Sequence, residues 1–287
     1  MACIPPASCG DRMGRFPLAG GVRGAQLRVL LIAAGLTTAP TASADSLPVL
    51  ALQYSADTGA NIVGAGQYAA RQDYVNDDLV GTRTRVQIPG VPERANLADF
   101  QIDANGDVLF ALDIGLTLGG TYFDAADVIK YSVGTFSKAF DAAVAGVPKG
   151  VHCDGVARLD ANGSLLLSFD RTFTANGFTV RPADVMKVSG GAFAGKMLDA
   201  QALGLPASLN IVAIDAMGTH TDLLVAFDTA GTIGGVSFAR NDLLQVHLPS
   251  GVWTKRYALS SFSDRWGVAH VDGVAALNDT IYRDGFE

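Results

Sequence analysis

Four side chains at matching places are the ones in this sequence best suited to chemistry. His152-Cys153-Asp154 and His270-Val271-Asp272 each put an imidazole two residues before a carboxylate, and each is followed by Gly-Val-Ala. Imidazole and carboxylate together can ligate a divalent cation or work as an acid–base pair. Asp99 aligns as the matching acid of a related segment, and Asn210 lies near that place in another. Leu97 and Ser208 stand about where those two segments would need a histidine. A polar channel lining without a ligand is the competing reading of the same residues.

A second set of carboxylates is more regular. Asp57, Asp113, Asp170 and Asp228 each close an apolar run, most clearly Val108-Leu109-Phe110-Ala111-Leu112-Asp113, and they lie 56, 57 and 58 residues apart. In a ring they would sit at equal radius and could hold a cation through oxygen ligands. Aspartate also accepts backbone N–H bonds at turns, and a need of the fold recurs with every copy, so they are read as structural markers. The run Asp103 to Asp107 has oxygen residues at alternate positions. Its glycine comes fourth rather than sixth and no Glu arrives at the twelfth place, so it is a hairpin turn rather than a calcium loop.

Other catalytic patterns are absent from the sequence. There is no Gly-x-Ser-x-Gly elbow, no His-Glu-x-x-His and no paired-cysteine metal motif. Gly64-Ala65-Gly66 lacks the third glycine and the strand–helix setting of a dinucleotide loop. Cys153 neighbours His152, but adjacent strand residues point to opposite faces, so a packing cysteine is expected. His220 and His247 are expected to be isolated surface residues.

The elements that must position these residues follow from the repeat. Each copy has an alternating strand, an Asn-Gly or similar turn, a continuous apolar strand ending in the marker aspartate, a connection, and two further alternating strands. Asp127, Asp184 and Asp242 each follow their marker by 14 residues. In the first copy the strands are expected near Leu79 and over residues 84–88, with Asp78 as the equivalent acid and about seven extra residues before it. The chain opens directly on its apolar strand and closes on 270–277, a copy of the opening strand of the third unit. The C-terminal strand therefore completes the N-terminal unit and removes a free sheet edge.

Four-stranded units of about 57 residues closed in this way resemble a β-propeller. The resemblance implies an all-β, four-bladed ring. Repeats are expected at 47–94, 95–151, 152–208 and 209–267, with a closing strand at 268–278. No WD or kelch signature points to a named subfamily. The end, Asp284-Gly285-Phe286-Glu287, resembles a short tail of exported proteins in certain gammaproteobacteria and implies a bacterial exported origin. It is assigned to a tail, 279–287.

Residues 1–44 read as a signal peptide. Arg15, Arg23 and Arg28 precede the apolar run 29–36, and Ala42-Ser43-Ala44 is an A-x-A exit; Met1 and Met13 are both open as the start. The propeller domain is then 45–278, and periplasmic or extracellular location is expected. Losing Arg12, Arg15, Arg23, Arg28 and Asp11 takes the net charge from −7 to −10, which argues against nucleic acid as partner. No later stretch could span a membrane, and Cys153, left alone, has no intrachain disulfide partner. The expectation is a monomeric, non-enzymatic binding or scaffold module for a carbohydrate, peptide or protein. A hydrolase or lyase with a metal or acid–base site at the channel mouth is the alternative, a divalent cation being the candidate cofactor.

Overall fold

In the computed structural model the described residues are 49–278, except 65–66, 104, 219, 249, 262–265 and 267–268. The expected signal peptide and tail lie outside them. The chain begins with β1 (Val49–Ala56), a small hairpin of β2 (Ala60–Gly64) and β3 (Gln67–Ala69), then β4 (Asp73–Asp77) and β5 (Arg83–Gln87). The second repeat has β6 (Leu97–Ile102), β7 (Val108–Leu112), a hairpin of β8 (Leu116–Leu118) and β9 (Thr121–Phe123), β10 (Val128–Ser132) and β11 (Thr135–Phe140). The third has β12 (Cys153–Arg158), β13 (Leu165–Phe169), a hairpin of β14 (Phe173–Ala175) and β15 (Phe178–Val180), β16 (Val185–Ser189) and β17 (Ala192–Leu198). The fourth has β18 (Ile211–Met217), β19 (Asp222–Phe227), a hairpin of β20 (Gly231–Ile233) and β21 (Val236–Phe238), β22 (Asp242–His247) and β23 (Val252–Ala258). Last comes β24 (Val271–Asn278).

These strands form four antiparallel four-stranded sheets, each in meander order from an innermost strand outward. The first sheet is ordered β24-β1-β4-β5, so the last strand of the chain is the innermost strand of the first blade. Leu52 pairs with Ala276 and Tyr54 with Val274 across that join. The chain is a four-bladed β-propeller.

The second strand of each blade is apolar throughout because both of its faces are covered. In β7, Leu109 and Ala111 pack toward the third blade, while Val108, Phe110 and Leu112 pack toward the first. In β13, Leu165 and Leu167 face the second blade and Leu166 the fourth. The core is thus four separate clusters, one in each gap between consecutive blades. Each fully buried Phe contributes on the order of 2–3 kcal/mol by area.

Two expectations are corrected. The segment after each marker aspartate is a two-stranded hairpin, not a plain connection, so each repeat holds six strands. In the first blade the third strand is β4, not a strand near Leu79. Leu79 has φ 59° and sits in a turn where Asp78 Oδ1 accepts N–H bonds from Val80, Gly81 and Thr82. The equivalent of Asp127, Asp184 and Asp242 is Asp73. Each of these accepts the N–H of the residue three before it. Each also pairs with a cation on the outermost strand: Asp73–Arg85, Asp127–Lys138, Asp184–Lys196 and Asp242–Lys255. Asp73 follows Asp57 by 16 residues, so the first blade carries two extra residues rather than seven.

Candidate functional site: the plugged channel and its acidic mouth

The innermost strands β24, β6, β12 and β18 line the axis. Each has a register shift near its start, where one residue is inserted relative to the second strand. This fixes the equivalences. Asp99, Gly155, Ala213 and Gly273 share one level, Phe100, Val156, Ile214 and Val274 the next, and Gln101, Ala157, Asp215 and Ala275 the one after.

At the first of these levels a single carboxylate serves all four blades. Asp99 is fully buried and accepts N–H bonds from Val156 (2.7 Å), Ile214 (3.0 Å), Val274 (3.0 Å) and its own neighbour Phe100 (2.9 Å). The donors are the equivalent residue of each blade. Two of the other blades have no room for a side chain at this level. A Cβ on Gly273 would lie 2.6 Å from Ser55 Oγ and 2.9 Å from the Phe100 ring, and one on Gly155 2.3 Å from Ser168 Oγ. Burial pushes the Asp99 pKa well up, and the four N–H donors oppose it.

One level deeper, Gln101 and Asp215 meet from opposite blades, with Gln101 Nε2 3.4 Å from Asp215 Oδ1. Gln101 Oε1 accepts from Arg158 N and Asp215 Oδ2 from Ala276 N. Burial raises Asp215 to about 7. The axis is therefore filled by two stacked polar layers.

The mouth lies at the starts of the innermost strands. The marker aspartates turn back and cap them. Asp57, Asp113 and Asp170 accept the N–H of His270, Asn96 and His152, each at 2.8 Å, and Asp228 is held likewise by the backbone of Asn210. The imidazoles follow their backbones: His270 Nδ1 is 2.9 Å from Asp57 and His152 Nδ1 3.7 Å from Asp170. The marker carboxylates thus cap strands within their own blades.

Around the mouth, histidine and asparagine alternate: His270, Asn96, His152 and Asn210 in blades one to four. Asn96 donates through Nδ2 to Asp272 in the preceding blade, and Asn210 donates to Asp154 at 2.7 Å. The Oδ1 atoms of both amides are buried and receive no donor. Burial, helped by Asp170 and Asp228, pushes Asp154 up to about 7, against the pull of Asn210. Burial pushes Asp272 up to about 8; Asn96 opposes this, and Asp57, Asp154 and Asp113 add to it. The mouth has approximate two-fold rather than four-fold character.

The expected positions at this level are displaced by one residue in the second blade and by two in the fourth. Asn96 and Asn210, not Leu97 and Ser208, stand at the histidine positions. The residues equivalent to Asp154 and Asp272 are Ala98 and Val212. Asp99 is one residue further in and belongs to the plug. The turn after β6 hides this: five residues separate the last paired residues of β6 and β7 where six separate those of β12 and β13, so Asn96 precedes Asp113 by 17 residues and His152 precedes Asp170 by 18. Cys153 is fully buried beside the Gly155 carbonyl, 3.5 Å away, and burial pushes its thiol well up, so it is no nucleophile. His220 is exposed, but His247 is not isolated: its Nδ1 lies 2.6 Å from Asp222. Among the described residues no three His, Cys, Asp or Glu side chains are grouped to hold a metal ion, and no helix is long and apolar enough to cross a membrane.

No protein-family model and no curated protein matches the sequence. Among solved structures it is similar to a streptogramin B lyase, with 15% identity and TM-score 0.31 over 71% of this chain and 53% of that one. It is similar to YCF48 from Cyanidioschyzon merolae, with 8% identity and TM-score 0.32 over 66% and 52%. A structure from a nidogen/laminin complex gives 8% identity and TM-score 0.39 over 78% and 97%. The chain spans about half the length of the first two. Each is a likeness of strand architecture, and the four-bladed ring rests on the strand pairing of this chain itself.

Proposed function

We propose that the protein is an exported, non-enzymatic binding module that seats a positively charged group of a peptide or protein partner at the acidic mouth. The observation that carries this is the chemistry of the mouth. Asp154 and Asp272 offer carboxylate oxygens, Asn96 and Asn210 offer buried amide oxygens without donors, and the marker carboxylates surround them. Deprotonated carboxyls beside amide oxygens suit a group that only donates, such as an ammonium or guanidinium, which would displace the protons that the carboxyls hold. The plug beneath, built on Asp99, makes the mouth a fixed floor rather than the entrance to a tunnel. Export rests on the leader-like segment 1–44 and is part of the proposal.

The test is binding of tetralysine to the wild type and to the Asp154→Asn/Asp272→Asn double variant at low ionic strength. The wild type should bind at least tenfold more tightly than the variant. Equal affinities would mean that only the net negative charge attracts the peptide, and the seat would be lost.

A second reading has one observation in its favour. Two carboxyls held at about 7 and about 8 are tuned as a general acid and base would be. That reading makes the protein a hydrolase or lyase, and it requires the double variant to abolish a turnover rather than a binding isotherm.

A further inference from the structure

Beside the mouth, in the first blade, the repeat is broken in a way that the fold does not require. The residue preceding the buried outer aspartate is Ala126 in the second blade and Ala183 in the third, both buried. In the fourth it is Asn241, whose amide donates to the Trp266 carbonyl at 3.2 Å. In the first blade it is Gln72, only 3% exposed, and its Oε1 has no donor. An unpaired buried acceptor is costly, and two sister blades manage with a methyl group.

Gln72 lines a cavity of about 490 Å³, within the range of small-molecule sites. The cation on the cavity wall is also specific to this blade. The outer ion pair uses lysine in the other three blades but Arg85 here, whose Nε lies 2.6 Å from Asp73. A guanidinium carries five donors, so the structural pairing leaves the rest of Arg85 for the cavity. Arg71 and Glu93 are exposed on the wall. Tyr68, 53% exposed, lies across Gly59, where a Cβ would fall 1.8 Å from its hydroxyl; glycine is what lets the ring lie there.

We propose that this cavity is a binding site for a neutral saccharide. Its charges balance: the wall carries two carboxylates, Asp57 and Glu93, and two guanidinium groups, Arg71 and Arg85. An ion is therefore not selected. The wall offers donors at the arginines and acceptors at Gln72 and Glu93, so the ligand must both accept and donate at several points, as sugar hydroxyls do. Tyr68 supplies an apolar face for the C–H side of a pyranose ring. Gln72 Oε1 is closed off from solvent, and a small turn of the side chain would let it accept a hydrogen bond from a sugar hydroxyl. The site shares Asp57 with the rim of the mouth but uses neither Asp154 nor Asp272.

The experiment is calorimetric titration of the intact protein with glucose, galactose, maltose, cellobiose and lactose, each up to about 20 mM. It is repeated on Gln72→Ala, Tyr68→Ala and the mouth variant Asp154→Asn/Asp272→Asn. Gln72→Ala restores what two sister blades contain, so its melting temperature should equal or exceed that of the wild type. The proposal expects saturable binding of at least one sugar, weakened at least tenfold by Gln72→Ala and by Tyr68→Ala, and unchanged by the mouth variant. Absence of binding to every sugar, or binding that Gln72→Ala leaves intact, would overturn it. Loss of sugar binding in the mouth variant alone would also overturn it and place the ligand at the mouth.

Discussion

The Asn210 amide nitrogen lies 2.7 Å from Oδ2 of Asp154, joining the fourth blade to the third at the mouth of the channel. Asn96 makes the same bond to Asp272, joining the second blade to the first. A ring built from four similar units therefore ends in a two-fold arrangement of two carboxylates, two amides and two imidazoles. The repeat makes the frame, and departures from the repeat make the sites.

The plug should dominate stability. In Asp99→Ala the N–H groups of four blades lose one acceptor at once. At about 1–3 kcal/mol for each buried unsatisfied group, a loss on the order of 4 kcal/mol or more is expected in urea denaturation. Asp99→Asn keeps the shape and one acceptor oxygen and should cost less. A loss under about 1 kcal/mol for Asp99→Ala would show that the four bonds do not tie the blades together.

Acidic conditions should favour the folded ring down to about pH 4. The folded pKa of Asp154 and Asp215 is raised to about 7 and that of Asp272 to about 8, above the unfolded value of 3.8. The unfolded chain therefore holds fewer protons at these sites in that window. Their contribution is full below about pH 4 and is lost as pH rises through 7 to 8. Melting temperature should fall between pH 5 and pH 8.5, and Asp215→Asn should flatten the fall. A profile that rises over that range in both proteins would contradict the assignment.

Ring closure can be tested in two directions. Deleting 271–277 removes the innermost strand of the first blade and should abolish the cooperative melt. Asn278 pairs with Val49, so a short turn joining 278 to 49 would turn the closing pair into an ordinary hairpin. A circular permutant made that way, with its new ends between β23 and β24, should melt within a few degrees of the parent. An intact melt in the deletion, or an unfolded permutant, would speak against closure by this strand.

The histidines and the aspartates they sit on should behave differently. The backbone N–H of residues 152 and 270 makes the cap, so His152→Ala/His270→Ala should change the melting temperature little. Asp57→Ala removes the acceptor of both the His270 N–H and its ring and should cost about 1–2 kcal/mol. Thermal denaturation of the two variants side by side gives the order. The reverse order would make the imidazoles the structural element.

The ring, its four-strand meanders and its closure were legible because they recur: marker aspartates about 57 residues apart and a closing strand copied from 152–159. The mouth was legible only in part. His152, His270, Asp154 and Asp272 stand out by type, but Asn96 and Asn210 do not, since their role depends on partners in other blades. Asp99 was misplaced because the turn between β6 and β7 is one residue shorter than that between β12 and β13, which moves the whole strand by one place against the repeat. Asp78 was mistaken for Asp73 because a turn aspartate and a buried paired aspartate look alike in sequence, and the two extra residues of the first hairpin left the spacing ambiguous. Gln72 becomes visible only once the blades are superposed by their hydrogen bonds.

The most direct measurement is the proton balance of tetralysine binding, taken calorimetrically at pH 7 in two buffers of different ionisation enthalpy. If the ligand seats on the coupled carboxyl pair of Asp154 and Asp272, binding should release protons, up to about one per complex, and the release should vanish in Asp154→Asn/Asp272→Asn. Binding without proton release, or release that persists in the double variant, would contradict the mouth as the seat.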